Sequence, residues 1–77
     1  MLDLDRIRSL RGGRRWTVDR LYAAFLREGD HRVSSRYFRG LLSGNLRRDP
    51  ATGFTRQLAA ALSVPMDEIV ERPRRAA

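Results

Sequence analysis

The chain has 77 residues, with 16 arginines and no lysine against nine acids and one histidine, for a formal net charge of +7. That length supports one domain with a modest core, and the absence of cysteine excludes disulfides, thiolate metal sites and thiol nucleophiles. No stretch has the continuous apolar run of a signal peptide or membrane span, so a cytoplasmic protein without a membrane partner is expected.

Leu2, Leu4, Ile7 and Leu10 predict a short amphipathic first helix, with Asp3 and Asp5 at its positive end and a stop at Arg11-Gly12-Gly13. Thr17 is a good N-cap for a second helix, and Trp16 and Leu21 sit at the two positions of a hydrophobic staple around it. Val18, Leu21, Tyr22, Phe25 and Leu26 then follow helical spacing, and Gly29 closes the helix. Gly29-Asp30-His31-Arg32 reads as a turn, in which His31 is a surface side chain with at most a phosphate contact.

Ser34 caps a third helix over about residues 34–43, with Val33 and Phe38 as its staple. Tyr37, Phe38, Leu41 and Leu42 form one apolar stripe, and Gly44 suits a left-handed exit. The opposite face carries Ser35, Arg36, Arg39 and Gly40. Asn45 to Pro50 reads as an irregular basic loop. A fourth helix opens at Ala51 or Thr52, with Phe54, Leu58, Ala61 and Leu62 inward, and Val64-Pro65 breaks it. Met66, Ile69 and Val70 predict a short fifth helix. Residues 1–71 are thus expected to form one all-α domain of five helices, with residues 72–77 a short basic disordered tail.

Charge is unevenly spread. Residues 1–31 hold seven Arg and five acids, a net of +2; residues 32–56 hold six Arg and one acid, a net of +5; residues 57–77 are neutral. The positive field therefore centres on the third helix and the loop after it, as expected of a surface that meets phosphates. Two capped amphipathic helices joined by a turn, the second short and basic, describe a helix-turn-helix. Its second helix would enter the major groove of double-stranded DNA, with Ser35, Arg36, Arg39 and Gly40 toward bases. Thr17, Arg32, Ser34, Asn45, Arg47, Arg48 and Arg56 are candidates for phosphate contacts.

The run Ser34 to Asn45 resembles the third helix and exit of the XRE (Cro/C1) repressor family, where a cap serine, an aromatic, spaced aliphatics and a closing glycine recur. Asp49-Pro50 followed by Gln57 to Val64 resembles that family's fourth helix, and Met66 to Val70 its fifth. The resemblance implies a compact lambda-repressor-like fold and a bacterial transcription regulator. Between Thr17 and Ser34 lie several more positions than in compact members, so either the second helix is longer or the turn is wider. That extended form is similar to EspR-type actinobacterial regulators, which are nucleoid-associated DNA-binding proteins. Val18, Ser35 and Arg36 stand where many repressors carry glutamines, and Ala51 where a cap serine is common.

Tight binding by so small a module favours a homodimer on DNA. The rival readings are a small helical protein-interaction module, antitoxin- or adaptor-like, supported by Leu46 and Tyr22, and a nucleoid-associated binder without sequence preference. With no Cys, no Lys and a single loop histidine, no nucleophile–base pair or metal triad can be assembled, so neither an enzyme nor a cofactor is expected.

Overall fold

Three helices begin where a side-chain oxygen accepts an otherwise unpaired backbone N–H of the first turn. In the computed structural model, which describes residues 2–46 and 50–71, these are α1 (Leu4–Gly13), α2 (Val18–Arg27) and α3 (Ser35–Ser43). Asp3 accepts from the Arg6 N–H at 3.0 Å, Thr17 from Arg20 at 3.2 Å, and Ser34 from Tyr37 at 3.1 Å. The fourth helix, α4 (Thr52–Ala61), has Ala51 at its cap and no side-chain bond there. Thr52 does not substitute for the missing cap, because it is already the first helical residue.

The helix ends are tighter than glycine placement predicts. Gly44 closes α3 in the left-handed conformation, at φ 83°. α1, however, continues through Gly12-Gly13 and is ended by Arg15, at φ 54°. The Trp16 N–H reaches back to the Arg11 carbonyl and the Arg15 N–H to the Gly12 carbonyl, each at 3.0 Å. α4 ends the same way at Ser63, φ 57°, with Val64 bonded to Ala59 and Ser63 to Ala60. Both are Schellman closures, which a non-glycine residue completes at a conformational cost.

The described residues are all helical apart from loops and one isolated backbone bridge, between Leu2 and Val70. α4 is the central helix. Phe54, Leu58 and Ala61 are buried as the spacing predicts, as is Leu62 just past its end, and so are Thr55, Gln57 and Ala59. Around it stand Phe25 of α2 and Phe38 of α3. The ring centroids are 4.8 Å apart for Phe25–Phe54 and 5.3 Å for Phe25–Phe38, tilted contacts that add to the area these rings bury.

The expected fifth helix is a single 3₁₀ turn, Met66–Glu68. After it the chain turns extended: the Ile69 carbonyl accepts the Asp3 N–H at 2.8 Å within the bridge between Leu2 and Val70, so the backbone does not continue as a helix. Arg6 adds an ion pair to Glu68 at 2.7 Å.

The α2–α3 connection is held from outside. α2 has ten residues, and residues 28–34 connect it to α3. Gln57 of α4, only 5% exposed, bonds the last turns of α2 once and this connection twice. Its Nε2 donates to the Phe25 carbonyl at 2.7 Å and the His31 carbonyl at 3.1 Å, and its Oε1 accepts the His31 N–H at 3.0 Å. The Tyr22 hydroxyl donates to the Val33 carbonyl at 2.6 Å. Gly29 is not left-handed: it leaves room for Gln57, whose Oε1 would lie 2.4 Å from an added Cβ.

Candidate nucleic-acid interface

α3 is fixed by the side chains it buries and polar where it is exposed. Phe38 and Leu41 are inaccessible, Tyr37 and Leu42 half-buried, and Ser35, Arg36, Arg39 and Ser43 face outward. Arg36, Arg39, Gly40, Ser43, Asn45 and Leu46 line one hollow of about 420 Å³ along the outer side of the helix and its exit. Four of the residues expected to meet DNA are thereby brought together: Arg36, Arg39, Gly40 and Asn45.

Two of these differ in detail from expectation. Gly40, expected to let a base approach, gives its open side to the chain's own Leu46, whose Cδ1 would stand 2.7 Å from a Cβ at position 40. The Leu46 N–H also bonds the Gly40 carbonyl at 3.1 Å. The folded-back leucine is thus what fills the open side of Gly40. Arg39, expected to point outward beside Arg36, is paired with Asp19 in the first turn of α2. Both side chains remain more than half exposed, so the pair is solvent-screened and weak.

The phosphate candidates are dispersed. Thr17 and Ser34 are exposed N-caps of α2 and α3, each committed to its own helix. Arg32 donates to the Leu26 carbonyl at 3.2 Å, neutralising the C-terminal end of α2. Arg56 lies on the exposed stripe of α4, away from the hollow that Arg36 and Asn45 line. Arg47 and Arg48 lie outside the described residues, as does the tail.

Several arginines serve the fold. Arg14 donates to the carbonyls of Leu10 and Leu62, joining the C-terminal ends of α1 and α4. Its guanidinium and that of Arg20 lie over the Trp16 ring, 5.8 and 5.6 Å from the centroid. Trp16 is thus a half-buried cation platform as well as a core contact. Tyr22, a possible partner contact by sequence, is half-buried instead, with its hydroxyl used at Val33 and its ring 5.2 Å from Phe38.

The sequence reading missed Arg8 and Arg11. With Arg39 they border a second hollow, of about 310 Å³, between α1 and α3. Their period on α1 was legible, but which face of α1 meets α3 was not.

No family model matches the chain, and no curated protein or solved structure gives a match. Among the described residues, no helix is long and apolar enough to cross a membrane.

Proposed function

We propose that the protein binds double-stranded DNA through α3, seated in the major groove, as a transcription regulator or nucleoid-associated protein. The observation that carries this reading is the outer face of α3. It presents Arg36, Arg39 and Ser43 beside Asn45, on a helix whose opposite face is locked into the core. Burial of Phe38 and Leu41, with Gln57 and Tyr22 holding the preceding turn, makes that face rigid, and rigid presentation limits the entropy lost on binding.

The order of capped helices around α4 supports a lambda-repressor-like helix-turn-helix of XRE type, acting in the nucleoid and as a homodimer where sites are paired. Arg36 is the first reading residue in this scheme, and Arg39 joins it at little cost, because its pair with Asp19 is screened and weak. A bidentate contact from Arg36 to guanine is worth about 1–3 kcal/mol of discrimination.

Fluorescence anisotropy on a random-sequence duplex and on duplexes enriched from a randomised pool tests this reading. Arg36→Ala should leave random-duplex binding nearly intact and reduce preference for the enriched sequence by about tenfold or more. Failure of the wild-type chain to bind either duplex at low salt overturns it.

A further inference from the structure

α3 stands between two basic hollows, and Arg39 borders both. On one side are Arg36 and Asn45; on the other, Arg8 and Arg11 of α1. The α1 side has an apolar floor that includes Ile7, Val18 and Leu42. Walls of low polarisability below charges of one sign focus the field outward, toward the mouth of the cleft.

We propose that the α1–α3 cleft is a second phosphate grip, in which Arg8 and Arg11 hold the DNA backbone on the side of the groove opposite Arg36 and Asn45. The inference rests on the reading of α3 as a groove-bound helix. The major groove is about 12 Å wide, and a helix with its side chains is about 10–12 Å across, so a seated helix has a phosphate row close on each flank. The α3 exit offers Asn45 to one row, and α1 supplies cations to the other.

Local bonding fits this role. Arg11 donates through Nη1 to the Trp16 carbonyl at 2.9 Å, which fixes the guanidinium while leaving further N–H groups for an anion. Arg8 is exposed on the same side of α1. Asp19, in the first turn of α2, is occupied by Arg39. The cleft is therefore lined by three guanidiniums, one of which, Arg39, is paired with Asp19.

The test measures binding of a random-sequence duplex across a salt series, for the wild type, Arg8→Ala and Arg27→Ala. Arg27 is another exposed cation, at the far end of α2, roughly 13 Å from Val18 at about 1.5 Å per residue, and serves as the charge-matched control. Arg8→Ala should weaken binding several-fold at low salt and reduce the slope of log affinity against log salt by about 0.9, the value for one lost phosphate contact. Arg27→Ala should leave the slope unchanged. Arg11→Ala should behave as Arg8→Ala does, and Arg11→Lys should restore the slope if its melting curve matches the wild type.

Hydroxyl-radical footprints should show protection on both flanks of the groove, with one flank lost in Arg8→Ala. An unchanged slope in Arg8→Ala, or an equal fall in Arg27→Ala, overturns the grip while leaving the reading of α3 standing. Absence of wild-type binding to any duplex overturns both.

Discussion

Gln57 and Gly29 act as one unit, and their coupling decides what a single methyl group would do. A Cβ at position 29 would sit 2.4 Å from Oε1, 2.9 Å from Cδ and 3.3 Å from Cγ of Gln57. Gln57 cannot step aside, because its amide holds three backbone groups in a buried site. Gly29→Ala should therefore destabilise the protein by about 1–3 kcal/mol, as overpacking does, although the backbone there is not left-handed. Thermal melts check this, and a melting temperature within a degree of wild type would refute the coupling. Ser63 gives the opposite sign. It is exposed and left-handed, so Ser63→Gly relieves the steric cost at the end of α4, less the extra chain entropy of glycine. The expected gain is about 0.5–1 kcal/mol, or a few degrees in melting temperature.

At the scale of elements, the helix starts and the α3 exit were legible and the couplings were not. Thr17, Ser34 and Gly44 could be read directly because capping depends on residues within one turn of each other. The closures at Arg15 and Ser63 escaped because no local preference marks them. Gln57, the Gly40–Leu46 contact and the Asp19–Arg39 pair join residues that only the fold brings together, and nothing in their spacing signals it. The bridge that follows the 3₁₀ turn belongs with them, since it pairs Val70 with Leu2 from the far end of the sequence. α4 shows what an absent cap leaves to be gained. Ala51 has φ −58° and ψ 149°, close to the −68° and 155° of Ser34, so its backbone already has the shape of a capping residue. Ala51→Ser should stabilise by about 1 kcal/mol, read as a shift in the denaturant midpoint without a change in slope.

For the molecule as a whole, the +7 charge pulls folding and binding in opposite directions. Added salt screens self-repulsion and should raise the melting temperature modestly. The same salt should lower affinity for a duplex by orders of magnitude between about 50 and 200 mM if several phosphates are held. Calorimetry and anisotropy over one salt series check the pair of signs, and a melting temperature that falls in parallel with affinity would show that the arginines stabilise the fold chiefly through screened charge. The bonds from Arg14 and Arg32 to carbonyl oxygens argue against that outcome, since their strength depends on geometry at close range. The Gln57 contact also bears on which sequences this architecture can tolerate. It engages His31 through backbone N–H and carbonyl alone, so it does not discriminate among side chains there. Proline is the exception, because it has no N–H to offer. What constrains position 31 is instead its side chain, whose ring lies over Gly53 of α4, so a substitution there alters the rim beside α3 without loosening the joint that aims it.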